Sequence, residues 1–349
     1  MQNYAEQYCR APGVGKGHCE ALLRYGVSKG LSLSECIYGT DIPDNFLDDP
    51  YDISALEELV VISNILKKLG YGFKTGFEVG RRYQVTDLGL FGMAIMTSKN
   101  GAHAAKITQR YLENAFNFTN MKLTLLDDKY KITWQLRVEF EPEINRFLVG
   151  RDIGICHAVQ SYVLNRSGRN AYEIGFSFPY EKGMEEVAKA FGCPVRHNQG
   201  ENYIIADSKQ LRARPPYSNH INSQAIEHAY QLALHKSDEQ NGLSERVKNF
   251  LLETSNFNIP KRLVAQHFNV SERTLTRHLE KEESSWRSLV SEVRLEKAEL
   301  LLKISSKPLQ KIAEEVGFAS VSSFSHAFTK YKGLSPSEYR RQLMEELVH

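Results

Sequence analysis

The chain has 349 residues, 42% hydrophobic and 25% charged, with 44 Lys and Arg against 42 Asp and Glu. At roughly 150 residues per domain this length fits about two domains with real cores, and the composition excludes disordered and fibrous classes. No apolar run reaches the ~18–20 residues of a membrane span, and the five cysteines are odd in number, widely spaced and lack a CxxC pair, which fits reduced thiols better than a disulfide frame or a zinc cage.

The first residues, MQNYAEQYCRAPGVGKGH, lack a basic flank followed by an apolar block, so no signal peptide and a cytoplasmic location are expected. Within them PGVGKGH at 12–18 misses the G-x-x-x-x-G-K-[ST] spacing of a phosphate loop and reads as a flexible entry turn. Helical patterns are predicted at about 54–69, 102–116, 145–164, 183–191 and 221–236. LGLFGMAIM at 88–96 reads as a buried strand or strand-like segment. KITWQLRVEF at 131–140 alternates apolar and polar residues, the mark of a half-buried strand ending at Pro142. MKLTLL before it, joined through Asp127-Asp128-Lys129, predicts a hairpin. YEIGFSF at 172–178 and YIIA at 203–206 are further strands. The result is a mixed α+β domain of about 235 residues.

Cys156-His157 falls in a predicted helix, where adjacent residues point to different faces, so the two make no nucleophile–base pair. Cys193-Pro194 reads as a buried thiol. HExxH, GxSxG and paired metal ligands are all missing, so no enzyme activity, metal or cofactor is expected. Trp134, Leu136 and the 88–96 segment are candidates to line a pocket, and Arg81 or Arg82 to meet a carboxylate. A core strand and a solvated turn account for them more simply, so no effector residue is assigned.

HKSDEQNGLSERV, from His235, is polar and carries an Asn241-Gly242 turn signal. It divides the chain into residues 1–235, a linker at 236–243, and residues 244–349. The last part holds 17 Lys and Arg against 14 Asp and Glu, leaving 27 against 28 in the remainder. The small positive excess is C-terminal, which favours nucleic acid only slightly.

Two C-terminal segments superpose with a shift of 48 residues: KRLVAQHFNVSERTLTRHL at 261–279 and LQKIAEEVGFASVSSFSHAF at 309–328. Val264, Ala265 and Phe268 match Ile312, Ala313 and Val316. A turn follows at Asn269 or Gly317, residue types that tolerate a left-handed backbone. A second helix begins near Ser271 or Ser320 as N-cap. This is a helix-turn-helix, twice over, at about 261–282 and 309–331. Leu275 and Leu279 point inward in the first unit and Phe324, Phe328 and Tyr331 in the second. The opposite faces carry Arg273, Thr276, Arg277 and Glu280, and Ser322, Ser325, His326 and Thr329. Arginine can make a bidentate contact with guanine, and Thr or Ser can reach bases or phosphates. Trp286–Lys303, about 27 Å if helical, would set the two second helices in successive major grooves.

RTLTRHL at 273–279, VRLEKAELLL at 293–302, PLQKIAEEVGF at 308–318, SFSHAF at 323–328 and GLSPSEYRR at 333–341 resemble the AraC/XylS family of transcription regulators. FEVGRRYQVTDLGLFGMAIMTS at 77–98 and FGCPVRHNQGENYIIADSKQL at 191–211 resemble the arabinose-binding-like sensor of its ornithine-utilisation subgroup. The resemblance implies base contacts from Arg273, Thr276 and Arg277 and from Val321, Ser322, Ser325 and His326. It also implies an N-terminal domain that senses a small molecule or dimerises. Two residues depart from the family pattern. Glu283 stands where glycine is usual after the first recognition helix, implying a strained or altered turn, and His326 where Arg is common, implying a weaker or pH-sensitive contact.

The sequence therefore reads as a DNA-binding regulator, an activator acting with RNA polymerase, gated by an effector of unknown identity and capable of forming a homodimer, with no membrane partner. Lys261, Lys281 and Lys330 are the expected phosphate contacts. A ligand-independent regulator whose N-terminal domain dimerises or binds a protein, and an enzyme or repair domain with a DNA-binding tail, are the alternatives.

Overall fold

The computed structural model describes residues 14–46, 53, 55–112, 118–136, 140–164, 171–219, 221–229, 232, 242–254 and 259–346. The chain separates into two compact units, Met1–Lys236 and Ser237–His349. Most of the 236–243 linker, residues 236–241, lies outside the described residues.

The N-terminal unit begins with helices α1 (Val14–Ser28), α2 (Leu33–Ile37) and α3 (Ala55–Leu69). Helix α1 starts inside the predicted entry turn, which corrects that reading from Val14 onward. Helices α4 (Gly72–Gly80), α5 (Gly89–Thr97) and α6 (Gly101–Leu112) follow, then strands β1 (Thr119–Leu126) and β2 (Lys129–Leu136) and the long helix α7 (Pro142–Leu164). Strand β3 (Glu173–Gly175), helix α8 (Met184–Phe191), strands β4 (Val195–Arg196) and β5 (Asn202–Asp207) and a helix at 221–229, here α9, complete it. The ends of two predicted helices, 113–116 and most of 230–236, fall outside the described residues, as does 137–139 of the predicted strand.

The five-stranded sheet has the order β1-β2-β5-β3-β4 and is antiparallel except where β3 meets β4. The predicted hairpin closes at Leu126 opposite Lys129 through Asp127 and Asp128, with Asp127 in the left-handed region at φ +40°. Its apolar alternation places Tyr130, Ile132 and Trp134 of β2 in the core. Pro142 is the first residue of α7, where its missing N–H is no loss.

The 88–96 segment is helical, not a strand. An unbroken apolar run carries no period, and here the nine residues Gly89–Thr97 form a helix that buries Phe91, Gly92, Ala94 and Ile95. Of the predicted strand 172–178 only Glu173–Gly175 is regular. Helix α4 had no signal: its sequence GFKTGFEVG contains three glycines, poor helix formers. Tertiary packing reverses that preference. Gly72, Gly76 and Gly80 recur at i, i+4, i+8 and face α7, where a Cβ on Gly76 would lie 2.1 Å from the Phe147 carbonyl oxygen and one on Gly80 equally near that of Arg151. Backbone lies on backbone at this crossing.

Beside it Arg151 is buried, donating from Nη1 to Glu58 (2.8 Å) and from Nε to Asp152 (3.1 Å), while Thr119 donates to Asp152. Burial pushes the Glu58 carboxyl up to about 7, against the pull of Arg151.

The C-terminal unit is all-helical among the described residues: α10 (Leu243–Thr254), α11 (Lys261–His267), α12 (Glu272–Lys281), α13 (Trp286–Ile304), α14 (Leu309–Glu315), α15 (Val321–Lys332) and α16 (Pro336–Glu346). The molecule is thus an α+β unit followed by an all-α unit with two helix-turn-helix motifs joined by a long helix. No described helix is long and apolar enough to cross a membrane, and no described cluster of His, Cys, Asp or Glu forms a metal site.

Candidate nucleic-acid interface

Each helix-turn-helix is built from a short helix, a left-handed turn and an N-capped second helix. Val264 and Ala265 of α11, and Ile312 and Ala313 of α14, are buried, the small alanine allowing close crossing. The turns pass through Asn269 at φ +55° and Gly317 at φ +82°. Ser271 then accepts from the Thr274 N–H (3.0 Å) to start α12, and Ser320 from the Ser323 N–H (3.1 Å) to start α15.

Leu275 and Leu279 fix α12 from beneath, and Phe324 and Phe328 fix α15, all fully buried. On the other side Arg273 and Arg277 are exposed and Thr276 half-buried, one helical turn apart on a common stripe. In α15, Ser322 and His326 are exposed, Val321 and Ser325 half-buried. Lys281 and Lys330 are exposed near the ends of α12 and α15. Lys261 is half-buried at the start of α11, where its ammonium donates to the Thr276 hydroxyl, which itself donates to the Glu272 carbonyl (2.7 Å).

The exit from α12 carries the unusual Glu283. Its N–H donates to the Glu280 carbonyl (3.1 Å) and the Ser284 N–H to that of Leu279 (2.8 Å), the Schellman pair, with Glu283 at φ +55°. The preceding Glu282 reaches the start of α10, accepting from the N–H groups of Leu243 (2.9 Å) and Ser244 (2.8 Å). Burial raises its carboxyl, but the hydrogen bonds from Ser244 and Leu243 outweigh burial and hold it below the usual range. Helix α13 is 19 residues, about 28 Å at ~1.5 Å per residue, and starts from the Ser285 cap.

Sequence reasoning left one feature of the N-terminal unit unassigned. A cavity of about 140 Å³ lies between α5, α6, the β1–β2 hairpin and α7. Trp134 lines it, as do Leu88, Phe91 and Ile95 of the 88–96 segment, whereas Leu136 is not part of its wall. Arg81 and Arg82 lie on an exposed turn, outside the lining; Arg82 donates to the Ser28 hydroxyl (2.7 Å) and rests over the Tyr25 ring. Two glutamines, Gln160 of α7 and Gln210 after β5, also reach the cavity. No motif marks them, since a single amide in an otherwise apolar setting has no period or spacing.

Two helix-turn-helix motifs with N-capped second helices, joined by one long helix and following a separate α+β unit, define a helix-turn-helix DNA-binding protein. Residues 264–342 match the family model of a helix-turn-helix domain, and residues 30–215 that of the arabinose-binding domain of AraC transcription regulator, N-terminal. The chain belongs to the AraC family of transcription regulators. It is 25% identical over 321 residues to an uncharacterised HTH-type transcriptional regulator of Mycobacterium tuberculosis, covering 90% of this chain and 92% of that one. To the ornithine utilization regulator of Pseudomonas aeruginosa it is 23% identical over 329 residues, 94% and 96% of the two chains. The HTH-type transcriptional activator CfaD of Escherichia coli shares 30% identity over 96 residues, 28% of this chain and 36% of that one.

Proposed function

We propose that this regulator is an effector-controlled activator that reads a bipartite site in double-stranded DNA. In this reading residues 1–235 sense the effector or dimerise, 236–243 link, and 244–349 bind DNA. Arg273, Thr276 and Arg277 contact bases in one major groove; Val321, Ser322, Ser325 and His326 contact them in the next. Lys281 and Lys330 neutralise phosphates, and Lys261 does so once released from Thr276. The observation that carries the reading is the duplicated motif, in which two apolar side chains of each second helix are fully buried while Arg273 and Arg277 of one, and Ser322 and His326 of the other, stay exposed on the opposite side. Activation, which would act through RNA polymerase, is supported by the 96-residue similarity to a protein named a transcriptional activator, CfaD. The N-terminal cavity supports effector control over a unit that only dimerises or binds a protein, because a preformed apolar hollow is what a small ligand needs. Effector binding then shifts the balance between DNA-binding states of the chain or a homodimer.

The test is Arg277→Ala, measured by fluorescence anisotropy at fixed salt on a site enriched from a random duplex pool. The expected loss is ~1–3 kcal/mol with relaxed preference at one base pair. Equal affinity of mutant and wild type would remove Arg277 from the interface.

A further inference from the structure

We infer that the cavity between α5, α6, the hairpin and α7 takes an uncharged, largely apolar molecule bearing one hydrogen-bond donor, of the size of a small phenol. The inference rests on the reading of the N-terminal unit as a sensor and names its ligand class. Three observations converge. The first is size: at about 140 Å³ the hollow is close to the ~150 Å³ apolar cavity that accepts benzene.

The second is charge. Phe91, Ile95, Met121, Ile132, Trp134 and Val159 are typical of the wall, and among the described residues no Lys or Arg lines it. Asp152 is the only acid among the described lining residues, and it is already held by Arg151 and Thr119. An anionic ligand would therefore lose its water and meet no counter-charge. A cation would find the Asp152 carboxylate already engaged by a guanidinium.

The third is an unmet acceptor. Gln160 is 8% exposed, and its Oε1 has no hydrogen-bond partner. Its orientation is fixed from the other end of the amide, because Nε2 donates to the Tyr130 hydroxyl (3.0 Å), which donates in turn to Gln210 Oε1 (2.9 Å). The amide oxygen is left without a hydrogen-bond partner, and a buried acceptor without one is unfavourable. Gln160 lines the cavity, and a slight turn of its side chain that opens Oε1 to the hollow lets a bound donor remove that penalty.

Four probes of one shape separate these features: 4-methylphenol, p-xylene, 4-methylbenzoate and 4-methylbenzylamine. Each is titrated into the full-length chain, read by calorimetry and by the fluorescence of Trp134, which lines the cavity. The expected result is one site for 4-methylphenol, at least tenfold tighter than for p-xylene, with neither charged probe bound. Gln160→Leu is expected to erase the tenfold preference while p-xylene still binds. Should that variant fold poorly, Val159→Phe, which fills the hollow, is expected to abolish 4-methylphenol binding. Binding of neither uncharged probe, tighter binding of a charged one, or unchanged preference in Gln160→Leu overturns the assignment. Anisotropy on the enriched DNA site, with and without 4-methylphenol, tests the sensor reading separately. Binding that depends on Gln160 but leaves DNA affinity unmoved upholds the ligand class and overturns effector control by it.

Discussion

Glu283 occupies the left-handed position that ends α12, and its side chain is exposed, so replacing it removes no buried contact. An L-residue held at φ +55° costs roughly 1–2 kcal/mol, of which glycine recovers the steric part while losing about 0.4–1 kcal/mol to its freer unfolded chain. The carboxylate also sits at the negative end of the helix dipole, an unfavourable contact of about 0.3–1 kcal/mol that glycine also removes. The net expectation for Glu283→Gly is a gain of about 1 kcal/mol, or a rise of roughly 4–8 °C for a domain of this size. Scanning calorimetry of the full chain measures it, the transition of the C-terminal unit being identified by its upward shift when DNA is added. Glu283→Gln keeps the backbone strain and drops the charge, so it separates the two contributions and should recover only the smaller. If glutamine matches glycine, or if glycine leaves the transition where it was, the strain argument is wrong.

Gly76→Ala drives a methyl to 2.1 Å from a backbone oxygen, which side-chain motion cannot relieve, and should lower stability by about 3 kcal/mol in urea unfolding; a loss under about 1 kcal/mol contradicts the crossing. Arg151→Met strands Glu58 and Asp152 in the core and should cost about 3–5 kcal/mol, read as a lower urea midpoint at pH 7. Lys297, buried in α13, has its ammonium pushed down from 10.5 to about 8 by burial. The unfolded chain therefore binds the extra proton between about pH 8 and 10.5, and the stability of the C-terminal unit should rise with pH across that window. Lys297→Met should remove that rise and stabilise the unit at pH 7 by an amount on the order of 1–3 kcal/mol; an unchanged pH profile would show that Lys297 is not the group responsible.

The helix-turn-helix pair was legible because it is written in local terms. Ser271 and Ser320 are caps, Asn269 and Gly317 are left-handed turn residues, and the apolar spacing has a helical period, so every part carries its own signal. The same holds for β2, whose alternation needs only its own residues. Helices α4 and α5 were not legible for opposite reasons. Residues 72–80 look unfit for a helix until the backbone of α7 is laid against their glycines, and residues 88–96 are so uniformly apolar that no face stands out. The cavity is the extreme case: Trp134 and the 88–96 segment were within reach as apolar lining. Gln160, Tyr130 and Gln210 come from α7, β2 and the turn after β5, and only the fold joins them.

In the proposed reading of a bipartite site, helix α13 also works as a ruler with a phase. One residue inserted into it would turn the second motif by about 100° while lengthening the rod by only ~1.5 Å. One base pair added to DNA turns the next half-site by about 34° and moves it about 3.4 Å. The two increments do not match in angle or in length, so protein and binding site cannot drift apart and back together by single steps. The spacing between the two half-sites would thus be inherited as a fixed quantity, while the bases within each half-site remain free to change with the residues on α12 and α15.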